Sequence, residues 1–299
     1  PLESGCSKMF RTLGRWFTPV RASRQFQPTT YCTVKAKNFL RKHEGGMVTR
    51  TSFHGMDDVA VLTLDNPDKK NAMTGRMLCE LHENIKEIAA SPSQLRALVL
   101  RGAGGNFCAG VDLDFVRKTA NAVDGYMLSR FMSETLWEMA SLPMPVIAVL
   151  ERNCLGGAAE LAIAADIRVA STNARMSFVH SRMGITPGFG SVRFLKDVVG
   201  RSTAIELLAS GELMDVERLK ELRLVSSVYE GEEQLSKYMK KFTRNGSHVV
   251  RASKMVVRDA VDRKGWEDRR KGERRVFLQL WGSKDHRDAL SAERKNHRG

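Results

Sequence analysis

The apolar residues of the chain fall into short runs that alternate with longer amphipathic stretches, and this pattern predicts an α/β fold. Three short apolar runs indicate buried strands at Val59–Leu64, Leu95–Leu100 and Val146–Leu150. Residues 74–90 and 125–141 lie between these runs and repeat apolar side chains at helical spacing. Because a helix that connects two neighbouring strands leaves them parallel, we expect a largely parallel sheet.

The second half of the chain continues the alternation with shorter elements. A helix of small residues, Ala158–Ala164, follows a pair of glycines. Brief strands are predicted at Ile167–Ala170, Met176–Phe178 and Leu224–Tyr229. The rest of this half shows a helical pattern.

Charge separates the two ends of the chain from its middle. The 299 residues carry a net charge of +14. Residues 1–50 hold ten Lys or Arg and two acids, and residues 251–299 hold fifteen and eight, so the part between them is nearly neutral. We predict a basic leader at residues 1–46, a core with the active site at residues 47–231 and a helical region at residues 232–299.

The predicted leader has no acidic residue between Lys8 and Lys42. Its basic, acid-poor composition and its apolar side chains at helical spacing are similar to those of mitochondrial transit peptides, and a disordered basic tail is the alternative. The leader therefore leaves two locations open, the mitochondrial matrix and the cytoplasm.

Several classes of function are disfavoured by what the sequence lacks. The patterns GxxxxGK[ST], GxSxG and HExxH are absent, which argues against a phosphate-binding loop, a nucleophile elbow and a zinc protease. The five cysteines are scattered, and there is no run of about 18 apolar residues. We expect no metal, no organic cofactor and no membrane span, and a nucleic-acid partner is disfavoured because the basic residues lie at the ends.

Two glycine-bearing segments follow predicted strands and are the candidates for chemistry. They are Asn106-Phe107-Cys108-Ala109-Gly110-Val111-Asp112-Leu113 and Leu155-Gly156-Gly157-Ala158-Ala159-Glu160-Leu161. The first N–H groups of a helix have no internal partner, and glycine lets a substrate approach the backbone. One N–H from each segment would form a two-donor oxyanion hole. Glycines that serve only tight turns and close packing are the alternative.

Six short motifs in this order resemble the crotonase (enoyl-CoA hydratase/isomerase) superfamily over about residues 50–285. They are the two segments above together with Asp65-Asn66-Pro67, Lys70-Asn71-Ala72, Ala165-Asp166-Ile167-Arg168 and Gly184-Ile185-Thr186-Pro187-Gly188. The resemblance implies an α/β spiral of ββα units with a C-terminal helical trimerisation region. It also implies homotrimers or dimers of trimers, an acyl-CoA substrate and a place in fatty acid metabolism.

The resemblance also implies roles for individual residues. The oxyanion donors would be the N–H groups of Ala109 and Gly157. The CoA chain would lie along Lys70, Ala72, Cys108, Gly110, Val111 and Asp112. From the residues alone, Asp112 could instead cap the helix that follows it, and Cys108 could be a packing residue.

The pair of acid–base positions indicates which members of the family the chain resembles. Hydratases of the family use two glutamates; here Glu160 stands at the first position and His180 at the second. His180 and its neighbours, with Leu280-Trp281-Gly282, resemble the family members that decarboxylate ethylmalonyl-CoA and methylmalonyl-CoA. An enoyl-CoA isomerase or hydratase that uses Glu160 alone is one alternative, and an RNA-binding relative is another.

Decarboxylation explains why a histidine would suit the second position. The electrons of the broken C–C bond flow into the thioester carbonyl, an oxyanion hole stabilises the enolate, and a nearby acid returns a proton. The substrate brings its own carboxylate, which a second protein carboxylate would repel. A histidine removes that repulsion and can donate a proton near neutral pH. The sequence leaves open whether Glu160 or His180 is the proton donor.

Overall fold

The computed structural model describes residues 33–92 and 95–262, and within them six strands form one sheet in the order β1-β2-β3-β4-β6-β8. The strands are β1 Met47–Phe53, β2 Met56–Asp65, β3 Ala97–Gly102, β4 Val146–Leu150, β5 Asn153–Leu155, β6 Ile167–Ser171, β7 Arg175–Ser177 and β8 Ser227–Tyr229. The helices are α1 Thr33–Leu40, α2 Gly75–Ala90, α3 Leu113–Lys118, α4 Ala122–Ser141, α5 Gly157–Ile163, α6 Val192–Ser210, α7 Val216–Glu221, α8 Gly231–Thr243 and α9 Ser247–Asp262.

The central strands are parallel and buried on both faces, as the apolar runs predict. Strands β2, β3, β4, β6 and β8 pair in parallel, and every residue of β4 is buried. One face of the sheet carries residues such as Val61, Val99 and Ile147, and packs against Leu235 and Met239 of α8. The other face packs against α2, α4 and α5. Helices on both faces explain why the strands show continuous rather than alternating hydrophobicity.

A second, smaller layer of backbone pairing is formed by the segments that follow β2, β3, β4 and β6, and it contains the candidate site. Strand β5 pairs in parallel with β7. Isolated bridges extend this layer between Cys108 and Cys154 and between Met73 and Val111. The repeated order of core strand, short extended segment and helix is the predicted spiral of ββα units.

Three elements differ from the sequence-based prediction. Strand β1 was not predicted because its residues are mostly polar and it lies at the sheet edge, paired antiparallel with β2. Strand β5 has three residues, too few for a visible period. Helix α1 lies inside the predicted leader, yet it buries Ala36 and Leu40, and its Lys37 pairs with Glu83 of α2. Residues 33–46 therefore belong to the packed domain.

The remaining predictions for the ends fall mostly outside the described residues. Helices α8 and α9 lie in the predicted C-terminal helical region, whereas residues 263–299 and the leader residues 1–32 are outside the described range. In the part of the chain that the structure describes, no helix is both long and apolar enough to cross a membrane.

Candidate active site

The first glycine-bearing segment leaves β3 and is fixed by backbone hydrogen bonds on both sides. The N–H of Cys108 donates to the carbonyl of Asn153 at 2.8 Å, which joins the segment to β5. The N–H of Ala109 donates to the carbonyl of Lys70 at 2.9 Å, which joins it to the loop after β2. The segment is therefore held between two neighbouring turns of the spiral.

Within residues 107–112 of this segment, Val111 is the residue whose N–H has no acceptor among the described residues. Met73 donates to the carbonyl of Gly110 at 2.8 Å and accepts from the N–H of Asp112 at 2.9 Å. In a parallel bridge of this kind, the residue between the two bonded positions turns its own N–H away from the partner. The N–H of Val111 thus points away from Met73.

This arrangement does not support Ala109 as an oxyanion donor. Its N–H is already bonded to Lys70, whereas the N–H of Val111, two residues later, is available. The N–H groups of successive residues in an extended chain point in alternate directions. Met73 bonds to Gly110 and Asp112, so the N–H of Val111 between them points away from Met73. We therefore move the candidate donor from Ala109 to Val111.

The second segment supplies its candidate donor at the start of a helix, as the sequence predicts. Gly156 has a φ of +55°, a left-handed conformation that favours glycine, and its N–H donates to Ser177 at 2.9 Å. Gly157 is the first residue of α5, so its N–H has no partner within the helix. No acceptor for it occurs within residues 33–92 and 95–262.

The two segments touch at their glycines. A Cβ atom on Gly110 would lie 2.9 Å from the carbonyl oxygen of Leu155 and 3.9 Å from the nitrogen of Gly157. A Cβ atom on Gly157 would lie 3.1 Å from Cγ2 of Val111 and 2.9 Å from the ring of Phe189. The predicted approach of the two segments is therefore present, and both glycines are needed for space.

Glu160 lies three residues after Gly157, and its side chain is only 1% exposed. Oε1 accepts from the N–H of Gly188 at 3.2 Å and lies 3.1 Å from Nε2 of His180. Oε2 accepts from the N–H of Phe189 at 2.9 Å and from Oγ of Ser191 at 2.8 Å. The carboxylate thus joins α5 to the loop that precedes α6.

His180 lies in a short 3₁₀ turn, Val179–Met183, which follows β7. The residue is 6% exposed. Its Nε2 faces Glu160, whereas its Nδ1 is buried and has no hydrogen-bond partner among the described residues. The structure therefore brings the two acid–base candidates into direct contact.

The predicted CoA-binding residues lie on two neighbouring segments, residues 70–72 and 108–112, which backbone hydrogen bonds join, and two of the residues also have structural roles. Lys70 has an exposed side chain and a φ of +52°. Ala72 lies just before Met73 and is buried. Cys108 is fully buried, and burial raises the pKa of its thiol to about 12, which suits a packing residue rather than a nucleophile.

Asp112 acts as the cap that its alternative interpretation predicts. Its Oδ1 accepts from the N–H of Phe115 at 2.9 Å at the start of α3, and its Oδ2 pairs with Lys69 at 2.8 Å. Burial alone would raise the pKa of this carboxyl, but the bonds from Lys69 and Phe115 outweigh burial, so its pKa is lowered. Its carboxylate is therefore already occupied by protein groups.

Several residues that shape the site were missed by the sequence analysis. Asn71 is fully buried with a φ of +58°, and its side chain accepts from the N–H of Asn66 and donates to the carbonyls of Ala103 and Asn106. The motif Lys70-Asn71-Ala72 contained this residue but gave no sign of its bracing role. Phe189 and Ser191 carried no signal, because their contacts form only in the folded chain.

A search of the described residues found no group of three or more His, Cys, Asp or Glu side chains that could hold a metal ion. The candidate groups of the site are the backbone N–H groups of Val111 and Gly157, the carboxylate of Glu160 and the imidazole of His180.

The fold agrees with the comparisons with known proteins. The chain belongs to the enoyl-CoA hydratase/isomerase family, which it matches over residues 55–298. Among solved structures, an enoyl-CoA hydratase from Bacillus anthracis is 25% identical with a TM-score of 0.77, and the match covers 83% of this chain and 96% of that one. One from Thermoplasma volcanium is 28% identical with a TM-score of 0.75, covering 82% and 96%. The predicted crotonase-like fold is confirmed.

The relatives found by sequence similarity carry the name of one particular enzyme. An ethylmalonyl-CoA decarboxylase from Danio rerio is 33% identical over 246 residues, which cover 80% of this chain and 81% of that protein. An ethylmalonyl-CoA decarboxylase from Gallus gallus is 32% identical over 290 residues, which cover 95% of this chain and 96% of that protein.

Proposed function

We propose that this protein is a CoA-thioester decarboxylase, a carboxy-lyase that acts on ethylmalonyl-CoA and on its shorter homologue methylmalonyl-CoA. The observation that carries the proposal is the contact between Glu160 and His180, where family hydratases use two glutamates. The similarity to ethylmalonyl-CoA decarboxylases over most of the chain supports the same choice of substrate.

The two available N–H groups would stabilise the developing charge. As the carboxylate leaves as CO₂, electrons move into the thioester carbonyl, and the oxygen of the resulting enolate becomes negative. The N–H groups of Val111 and Gly157 would bind that oxygen, and losing one such donor typically costs about 10²–10³ in rate. Bond cleavage needs no protein base, since the substrate carries the carboxylate that leaves.

The charges around the site suit an anionic substrate better than two carboxylates would. Two carboxylates beside a third would repel one another, which raises the cost of binding the ionised substrate. Here the carboxylate of Glu160 has an imidazole at 3.1 Å as its neighbour, in place of a second glutamate. The site can therefore hold an acyl group that bears its own negative charge.

The remaining parts of the proposal concern the CoA chain, the assembly and the location. CoA would run along the exposed loop that contains Lys70 and then past Ala72 to the oxyanion donors. CoA enters as part of the substrate, so the chemistry requires no separate cofactor. Homotrimers or dimers of trimers, and location in the cytoplasm or the mitochondrial matrix, stay predictions from the sequence.

A panel of CoA thioesters tests the proposal. We expect CO₂ release from ethylmalonyl-CoA and methylmalonyl-CoA, and at most weak hydration of crotonyl-CoA or isomerisation of a 3-enoyl-CoA. Turnover of crotonyl-CoA or the 3-enoyl-CoA without CO₂ release from either malonyl thioester would refute the proposal. The isomerase alternative gains no support from the structure, because the carboxylate of Glu160 already accepts three hydrogen bonds from the protein and lies 3.1 Å from His180.

A further inference from the structure

We propose that Asn71 is a positioning residue for the oxyanion hole, because its side chain fixes the register between the two loops that follow β2 and β3. The β2 loop, residues 66–73, contains Asn71 itself, and the β3 loop, residues 103–112, contains the candidate donor Val111. The inference rests on the proposed function, since it assumes that the N–H of Val111 faces the thioester oxygen.

The side chain of Asn71 is fully buried and joins the two loops. Its Nδ2 donates to the carbonyl oxygen of Ala103 at 2.8 Å and to that of Asn106 at 2.7 Å. Its Oδ1 accepts from the N–H of Asn66 at 2.9 Å. Because the two carbonyls can only accept and the N–H can only donate, one orientation of the amide satisfies all three partners. The β3 loop is thus bonded to Nδ2 and the β2 loop to Oδ1.

The backbone around Asn71 is shaped so that its side chain reaches the β3 loop. Asn71 has a φ of +58°, a left-handed conformation that asparagine adopts more readily than most other residues with a side chain. Its own N–H donates to the carbonyl of Asn66 at 2.8 Å. Gly102 ends β3 beside the amide, and a Cβ atom on Gly102 would lie 2.6 Å from Nδ2 of Asn71. The lack of a side chain at Gly102 therefore leaves the space that the amide occupies.

Three backbone hydrogen bonds continue from this contact along the two loops. The carbonyl of Lys70 accepts from the N–H of Ala109 at 2.9 Å. Met73 donates to the carbonyl of Gly110 at 2.8 Å and accepts from the N–H of Asp112 at 2.9 Å. The buried amide thus belongs to a residue that lies between the two β2-loop residues that pair with the β3 loop.

A shift of this pairing by one residue would remove the free donor. In paired extended segments, successive N–H groups point in alternate directions, so a one-residue shift exchanges the groups that face the partner with those that do not. The N–H of Val111 would then point toward the β2 loop. Such a shift moves the β3 loop by about 3.3 Å, which would break the bonds from Nδ2 of Asn71. The backbone bonds can form in either register, whereas the amide has its partners in one, so Asn71 selects Val111.

The variant Asn71→Asp tests whether the amide sets the register. Aspartate has nearly the same shape, keeps an acceptor for the N–H of Asn66 and tolerates the left-handed backbone. Its carboxyl group can donate at most one hydrogen, and none when ionised, where the amide donates to both Ala103 and Asn106. The variant Asn71→Gly keeps the backbone conformation and removes the side chain, and it decides the question if Asn71→Asp does not fold.

The variant Thr135→Val is the control for the loss of a buried polar contact outside these loops. Thr135 lies in α4 and is fully buried. Its hydroxyl donates to the carbonyl of Phe131 at 2.9 Å and lies 3.0 Å from Nδ1 of His82. These partners belong to α4 and α2, so the substitution lowers stability without removing a bond of either loop.

The carbonyl band of bound butyryl-CoA reports the oxyanion hole. Hydrogen bonds to a carbonyl oxygen lower its stretching frequency, and ¹³C at the thioester carbonyl identifies the band in an infrared difference spectrum. For the wild type and Thr135→Val we expect a band below that of free butyryl-CoA. For Asn71→Asp and Asn71→Gly we expect most of this lowering to be lost.

The kinetic constants for ethylmalonyl-CoA provide the second readout. In both Asn71 variants we expect kcat to fall at least about 10²-fold, while KM stays within about threefold, because a misplaced donor affects the developing charge more than the bound substrate. In Thr135→Val, kcat should match the wild type.

Four results would overturn the inference. The first is a wild-type band in folded Asn71→Asp or Asn71→Gly with butyryl-CoA bound. The second is a raised KM with unchanged kcat, which would give Asn71 a role in holding CoA instead. The third is an equal loss of the band shift in Thr135→Val, because general destabilisation would then explain the effect. The fourth is a wild-type protein that does not lower the band.

The band separates this inference from the proposed function, because butyryl-CoA has no carboxylate to lose. Loss of the band shift in Asn71→Asp without CO₂ release by the wild type would sustain the inference and refute the decarboxylase. CO₂ release by the wild type with an unchanged band in Asn71→Asp would do the reverse.

Discussion

The two glycine-bearing segments present the same group, one free backbone N–H, by different means. In the second segment, Gly157 begins α5, so its N–H is free because a helix has no internal acceptor for its first residues. In the first segment, the N–H of Val111 is free because Met73 bonds the residues on either side of it. One donor thus follows from local structure, and the other depends on a residue about 40 positions earlier in the chain.

The difference shows which part of such a site can be derived from the sequence. The family resemblance named Gly157, and the glycine pair before a small-residue helix already places that residue at a helix start, where N–H groups are free. In an extended segment, every second N–H group points to the same side. The sequence of the segment does not show which residues direct their N–H groups to the neighbouring strand. The resemblance named Ala109 as the donor and Val111 as a CoA-binding residue, and the bridge to Met73 leaves the N–H of Val111 free instead.

The variant Gly110→Ala should cause the largest loss. Gly110 has a φ of +107°, and an added Cβ atom would lie 2.9 Å from the carbonyl oxygen of Leu155, which is backbone and cannot move aside alone. The two segments would be forced apart, so we expect kcat/KM for ethylmalonyl-CoA to fall at least about 10²-fold. Gly125→Ala is the matched control, because Gly125 lies in α4 with no atom near its added Cβ, and its activity should match the wild type. Equal activity of both variants would show that the approach of the segments is unimportant.

The variant Gly157→Ala should cost less, because the obstacles are side chains. Its Cβ atom would lie 2.9 Å from Cε2 of Phe189 and 3.1 Å from Cγ2 of Val111. We expect a loss of about 10- to 10²-fold in kcat/KM. Phe189→Leu removes the closer obstacle, so the double variant Gly157→Ala/Phe189→Leu should recover part of the loss, measured as a double-mutant cycle. Strictly additive effects of the two substitutions would contradict this packing.

The smallest effect concerns the helix that follows the first segment. Asp112→Ala removes the cap of α3, and we expect the free energy of unfolding to fall by about 1 kcal/mol, measured by denaturant titration. Asp112→Asn retains a capping side chain but not the ion pair with Lys69. A loss of stability in Asp112→Ala no greater than that in an Asp114→Ala control would contradict the capping role.

The pH dependence of the stability that Asp112 contributes follows from the direction in which the pKa of its carboxyl is shifted. The native pKa of Asp112 is lowered, so its ionised form contributes stability that is fully present above the unfolded pKa of about 3.9. That contribution is lost as the pH falls through the lower native pKa. The stability difference between wild type and Asp112→Asn should therefore shrink in acid and be constant near neutral pH.

The parts of the fold that the sequence predicted share one property. Strands β2, β3 and β4 and helix α2 were predicted because burial of a whole strand or helix face leaves a periodic apolar pattern. Strand β1 and helix α1 were not, because β1 is a polar edge strand and α1 buries only Ala36 and Leu40 within a basic stretch. Their places depend on neighbours distant in sequence, such as Glu83 for α1.

The sequence by itself determined the α/β spiral, the family, the candidate donor Gly157 at a helix start and the unusual pair of Glu160 with His180. Only the tertiary structure decided that the N–H of Val111 rather than that of Ala109 is left free, that Asp112 caps a helix and that Glu160 accepts three hydrogen bonds from the loop before α6. The physical reason is that periodicity and helix ends are local properties of the chain. The direction of a free N–H in an extended segment, and the partners of a buried carboxylate, are set by residues brought together only on folding.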